Sequence, residues 1–190
     1  MSELHTLMTG ISFGECPRWH DGRLWFTDWG AEQLIAVDPD GDSELIARVP
    51  SFPFSIDWLP DGRLLIVSAR DHAVLTMTAN GSLVVHADLS AISDRPPTNE
   101  IVVDGRGNTY VNGGGFDLMA GEKFAPGLIA VVTPDGAVRQ VADGVAFPNG
   151  MAVTPDNSTL IVAESYAKRL TAFDKGSEMV RTIFDENERG

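Results

Sequence analysis

A single cysteine, Cys16, leaves the chain without an internal disulfide framework. Stability must then come from packing, and a reducing, cytoplasmic setting is the expectation. No apolar run approaches the roughly 18–20 residues that a membrane helix requires. Met1 to Gly10 has neither the basic region nor the apolar stretch of a secretory leader. Positive charge is scarce: 14 Lys and Arg face 27 Asp and Glu, for a net charge of −13. A basic footprint for nucleic acid or anionic lipid is missing, so neither a nucleic acid nor a membrane is expected as a partner. Helical patterning is missing too, since no segment sustains an apolar period of 3.6 residues.

What the chain has in quantity is turn chemistry, with 19 Gly and 11 Pro among 190 residues. The turns recur. Asp21-Gly22-Arg23-Leu24 returns as Asp61-Gly62-Arg63-Leu64, a shift of 61 − 21 = 40 residues. Looser copies stand at Gly105-Arg106-Gly107-Asn108 and Pro155-Asp156-Asn157-Ser158, and a short apolar run follows each. A second turn falls later in every unit: Asp38-Pro39-Asp40-Gly41, Ala79-Asn80-Gly81, Pro134-Asp135-Gly136 and Asp174-Lys175-Gly176. Asp-Gly and Asn-Gly between apolar runs mark hairpins, because tight turns need positive φ. Four short strands per unit, repeating every 40–45 residues or so, is the pattern of a propeller blade. The expected fold is an all-β propeller of four-stranded antiparallel blades, in one domain over 1–190. Its blades run roughly 14–50, 54–90, 99–144 and 148–186. The third unit is longer because residues 112–126 form a Gly-rich insertion, the place to look for a lid or pocket wall.

Lining up the starts of the innermost strands singles out three positions. Asn99 and Asn149 differ by 149 − 99 = 50, and the motifs after them keep that shift. Aligning Trp19 with Trp58 places Glu15 opposite Phe54, within a residue of the same repeat position. Inner strands line the propeller channel, so Glu15, Asn99 and Asn149 should converge on the axis. One carboxylate and two amide carbonyls make a hard, all-oxygen site suited to a divalent cation: calcium, magnesium or manganese, with zinc a further candidate. The competing reading is that each Asn sets a turn and Glu15 is merely solvated; three such residues at one repeat position weigh against it.

Gly14-Glu15-Cys16-Pro17-Arg18-Trp19, the segment Asn99 to Asp104, and Phe147-Pro148-Asn149-Gly150-Met151 resemble, in order, motifs of the senescence-marker-protein-30/gluconolactonase/regucalcin family. That resemblance implies a six-bladed propeller of which about four blades are present. It also implies one divalent cation, calcium first, held by Glu15, Asn149 and Asn99, and hydrolysis of a small lactone, foremost a sugar (aldono)lactone. Asn99 and Asp117 would contact substrate. An Arg that some members carry two residues before the first Asn is Pro97 here, with Arg95 nearby. The family's further Asp ligand and general base belongs to a later blade, so no catalytic base is assigned and the propeller is expected to be incomplete. A second copy or a complementing chain could then close the ring. The alternative to an enzyme is a truncated or non-catalytic propeller that binds a metabolite or a protein.

Several other patterns carry no chemistry. Gly10-Ile11-Ser12-Phe13-Gly14 spells a nucleophile elbow, but strand-like residues and Pro17 follow where a helix is needed. Asp38, Asp40 and Asp42 mimic an EF-hand start, yet Val49 occupies the bidentate Glu position. Gly113-Gly114-Gly115 lacks the Lys of a phosphate loop. Glu100 should face away from Asn99 by strand alternation. Cys16 reads as a small buried hydrophobe, and His5, His20, His72 and His86 show no ligand spacing. Trp19, Trp25, Trp29 and Trp58 are expected to pack between blades.

Overall fold

In the computed structural model the chain is described over residues 4–92, 98–175 and 180–186. It forms four antiparallel sheets, each built from four consecutive strands. The first contains β1 (Gly14–His20), β2 (Arg23–Asp28), β3 (Gln33–Val37) and β4 (Ser43–Arg48). The second contains β5 (Phe54–Trp58), β6 (Leu64–Ser68), β7 (Ala73–Met77) and β8 (Leu83–Asp88). The third contains β9 (Thr98–Val103), β10 (Thr109–Gly113), β11 (Gly127–Val132) and β12 (Val138–Val145). The fourth contains β13 (Pro148–Val153), β14 (Thr159–Glu164), β15 (Arg169–Asp174) and β16 (Val180–Asp185). The first strands of successive sheets touch one another, β1 with β5, β5 with β9 and β9 with β13. They form the inner wall of a propeller arc, as the repeats predict.

Alternation along the strands builds the core. In β6, Leu64 and Ile66 enter the cluster shared with blade 1, while Leu65 and Val67 enter the one shared with blade 3. In β11, Ala130 and Val132 face blade 2, and Ile129 and Val131 face blade 4. A middle strand of a blade is covered on both faces, so its sequence is continuously apolar, as in Leu64-Leu65-Ile66-Val67. The outermost strands meet solvent, and β4 and β8 are largely exposed.

The turn copies of blades 2 to 4 share a hydrogen-bond pattern, whereas the first, Asp21-Gly22, is a tighter two-residue hairpin with φ of 48° and 75°. Leu59 N–H donates to Arg63 O and Gly62 N–H to Leu59 O; Asp104 and Gly107 repeat the pattern in blade 3, Thr154 and Asn157 in blade 4. Gly62 and Gly107 have φ of 87° and 84°, and Asn157 takes the same role at 59°. Asn is among the few side chains that tolerate this region, which is why the fourth copy survives without glycine. The Gly-rich stretch of blade 3 has a packing explanation: a Cβ on Gly115 would stand 2.0 Å from the carbonyl oxygen of Pro126. The loop closes backbone against backbone at its base.

The tryptophans depart in part from expectation. Trp25 is buried between blades 1 and 2, with Trp29 and Trp58 packed against the same cluster. Trp19 is 65% exposed. It pairs with Leu24, which packs with Phe26, Ile35 and Val37 on the face of blade 1 turned away from blade 2. Cross-strand partners share a face, and no blade of the arc covers this one.

Candidate metal centre

Strand register places the candidate residues at one level of the channel. Gly14 pairs with Asp28, Phe54 with Ser68, Thr98 with Gly113 and Pro148 with Glu164. The next residues along the inner strands are Glu15, Ser55, Asn99 and Asn149. The true counterpart of Glu15 in blade 2 is therefore Ser55, one residue beyond Phe54. Three inner strands break register at this level, β1 between Glu15 and Arg18, β9 opposite Asn112, and β13 between Pro148 and Met151. The fourth, β5, is regular. A bulge puts two residues against one and re-aims their side chains. Asn99 and Asn149 lie within their bulges, whereas Glu15 pairs with Thr27 just before the β1 bulge at Cys16 and Pro17.

The two amides meet across neighbouring blades, with Asn99 Nδ2 3.4 Å from Asn149 Oδ1. Asn149 Nδ2 in turn lies 3.4 Å from Ser165 Oγ. The backbones are held more firmly. Ser55 Oγ donates to Asn99 O at 2.7 Å, and Thr27 Oγ1 donates to Glu15 O at 3.1 Å. Asn112 is fully buried; its Oδ1 accepts the Glu100 N–H at 3.2 Å and its Nδ2 donates to Asn149 O at 2.6 Å.

Two buried carboxylates pin the loops that enter these strands. Asp28 accepts N–H groups from Ser12 at 2.8 Å, Phe13 at 2.9 Å and Ala31 at 3.2 Å. Burial acts to raise its pKa, but those donors outweigh it and hold the carboxyl below its usual range. Glu164 occupies the equivalent place in blade 4. It accepts Ala146 N–H at 2.7 Å and a forked pair from Arg169 at 2.7 and 3.1 Å. Burial is again outweighed, and its pKa is lowered. Neither residue stood out in the sequence, although both end the second strand of their blade at one repeat position.

Beneath Glu15, Arg18 reaches from β1 past blade 2 to blade 3. Its Nη2 donates to Glu100 Oε1 at 2.9 Å and to Ile101 O at 2.9 Å. Glu100 thus turns toward β1; it shares the β9 bulge with Asn99. Cys16 is buried, with Sγ 3.5 Å from Glu100 Oε1 and 3.2 Å from Ile56 N. Burial, with the Glu100 charge adding, pushes its thiol up to about 12. It is inert packing, in keeping with its sequence context.

Asp117 lies in the insertion, where its Oδ1 accepts N–H groups of Met119 at 2.8 Å and Ala120 at 3.0 Å. Its carboxylate caps its own turn. The same loop walls a cavity of about 410 Å³ beside β11 and β12, lined by Gly113 to Gly115, Gln140 and Asp143 and by no inner-strand residue. Phe116 and Phe124 from the loop pack with Phe147 and Tyr166 at the entry to β13. Arg95 and Pro97 lie outside the described residues. Among the described residues no three His, Cys, Asp or Glu side chains form a group that could hold a metal ion; the candidate set is one carboxylate and two amides.

Residues 13–182 match the family model described as the SMP-30/Gluconolactonase/LRE-like region. The chain belongs to this family. Solved structures share the SMP-30/gluconolactonase-like propeller at low identity. A gluconolactonase from Xanthomonas campestris superposes with a TM-score of 0.73 at 20% identity, over 93% of this chain and 62% of its own. A luciferin-regenerating enzyme gives 0.80 at 17%, over 96% and 64%. A calcium-binding protein, regucalcin, from Agrobacterium tumefaciens gives 0.75 at 22%, over 94% and 62%. The chain thus spans less than two thirds of the length of each.

Proposed function

We propose that the protein is a divalent-metal-dependent hydrolase of a small lactone, foremost an aldonolactone, in which Glu15, Asn99 and Asn149 hold the cation. The observation that carries this reading is the meeting of the Asn99 and Asn149 amides across two inner strands that both bulge at that point. Family membership and the calcium-binding name of one structural neighbour point the same way. A hard donor set of one carboxylate and two amide oxygens fits calcium best, with magnesium, manganese or zinc as substitutes.

When bound, such an ion supplies Lewis-acid polarisation of the lactone carbonyl. Glu15 contributes the one negative charge of the set, and the two amides add neutral dipoles. Buried Asp28 and Glu164 fix the loops before Glu15 and Asn149, so the donors are held by the scaffold before any ligand arrives. The proton from attacking water is taken by an acidic side chain from a further blade, on the same polypeptide, a second copy or a complementing chain. Asn99, and Asp117 if its turn opens, contact the substrate. A reducing cytoplasmic setting, with neither nucleic acid nor membrane as partner, suits the acidic chain and its lone buried thiol.

The test is hydrolysis of δ-gluconolactone followed by pH-stat. The reading predicts turnover above the spontaneous rate that disappears on chelation and returns with added calcium. Turnover that persists through chelation would show a different chemistry. Lactone binding with no turnover would point instead to a metabolite-binding propeller.

A further inference from the structure

Asn112 begins what the sequence marks as a loop, yet it belongs to β10 and is fully buried at the junction of blades 3 and 4. It is the residue left facing the β9 bulge: Thr98 pairs with Gly113 and Ile101 with Val111, so Asn99 and Glu100 together oppose Asn112. A bulge of this kind frees a backbone N–H from the ladder, and a buried N–H needs a partner. Asn112 Oδ1 provides it, accepting from Glu100 N at 3.2 Å. The other end of the same amide crosses to the next blade, where Nδ2 donates to Asn149 O at 2.6 Å.

We infer that Asn112 is a positioning residue that sets the separation of Asn99 and Asn149, holding both amides at the channel for a shared cation. One planar amide bonds the residue next to Asn99 and the backbone of Asn149 itself. The spacing of the two inner strands at this level is therefore braced by one buried side chain of fixed length, beneath the longer 3.4 Å contact of the two amides themselves. An ionised Asp offers acceptors only and Ser a single hydroxyl, so neither bonds both partners from opposite ends of one rigid plane. Partners that orient ligands in this way influence affinity without touching the ion.

The inference rests on the metal-site reading above, and two separate readouts keep the two apart. The first needs no metal: side-chain amide resonances of Asn99 and Asn149 in Asn112→Leu, Asn112→Asp and Ile129→Ala. Ile129 pairs with Asn112 across the sheet, so its truncation controls for general loosening of the same spot. Asn112→Leu is expected to shift both amides and Asn112→Asp chiefly that of Asn149, because Asp keeps an acceptor for Glu100 N–H but loses the donor. Ile129→Ala should leave both in place. The second is a calcium titration by calorimetry, in which either Asn112 variant should lose roughly 10–100-fold in affinity while Ile129→Ala stays near the parent. Should Asn112→Leu fail to fold, Asn112→Asp, read at a pH where its carboxyl is ionised, carries both arms. Unshifted amides in a folded Asn112 variant, or equal losses in Ile129→Ala, would overturn the inference. A parent protein that binds no calcium would sink the metal reading alone, with the amide shifts still deciding the role of Asn112.

Discussion

Lys175 Nζ lies 2.6 Å from Asp104 Oδ2, an ion pair that fastens the end of β15 in blade 4 to the end of β9 in blade 3. The carboxylate side chain is fully buried and the lysine is 14% exposed. Asp104 also accepts from Arg106 N, Asn108 N and Asn108 Nδ2. Removing the lysine would leave a buried charge with hydrogen bonds but no counter-ion. Lys175→Met should therefore cost about 3 kcal/mol, read as a lowered midpoint in urea. A loss within experimental error would mean that the pair contributes nothing net.

Acid should unfold the protein through a small set of carboxylates. Asp28, Asp104 and Glu164 are buried, and burial alone would raise each pKa. Their hydrogen bonds, with Lys175 at Asp104 and Arg169 at Glu164, outweigh it and hold all three low. A folded-state pKa below the unfolded one stabilises fully above the unfolded value, about 4 for such groups, and that stability is lost as pH falls through the folded value. Melting temperature should drop steeply below about pH 4. Glu164→Gln should shallow that drop; an unchanged acid slope would remove Glu164 from the account.

Cys16 should resist alkylation. Its side chain is 2% exposed and its thiol is pushed up to about 12, so almost no thiolate is present or reachable at pH 8. Iodoacetamide should label it only with added denaturant. Rapid labelling of the folded protein would show that the junction of β1 and β5 opens readily.

Leu65 and Ile66 are adjacent in β6 and both fully buried, yet they serve different blade interfaces. Truncating either to Ala should cost about 2–5 kcal/mol by leaving a cavity. The blades share these clusters, so both variants should still melt in one transition. Two transitions in either variant would show blades that unfold independently.

The architecture was legible because its cause is local. Asp21-Gly22 and Asp61-Gly62 demand turns, and the apolar runs after them can only be strands buried on both faces. The level of the candidate site was legible too, since Asn99 and Asn149 keep a constant offset. What escaped the sequence came from the bulges. Two-residue alternation turns Glu100 away from Asn99, and it does point elsewhere, but only the β9 bulge explains why it meets Arg18 of β1. The same bulge turns Asn112 from a presumed loop residue into a buried bridge. The one-residue difference between Phe54 and Ser55 arises because β5 lacks the bulge that β1 has. Trp19 failed as an interblade residue for a separate reason, its face of blade 1 having no neighbour in the arc. Asp28 and Glu164 did not stand out in the sequence, because the loop N–H groups they hold, of Ser12, Phe13 and Ala31 and of Ala146, are marked by no residue pattern.

The most direct test of the central claim is Glu15→Gln, which keeps the shape of the side chain and removes the only charge of the donor set. Calcium content by atomic emission and δ-gluconolactone turnover by pH-stat would be measured on the same preparations of parent and variant. The account predicts that the parent carries the ion and turns over the lactone, and that the variant, folded to the same melting temperature, loses both together. A Glu15→Gln protein that keeps the parent's metal content and turnover would contradict it.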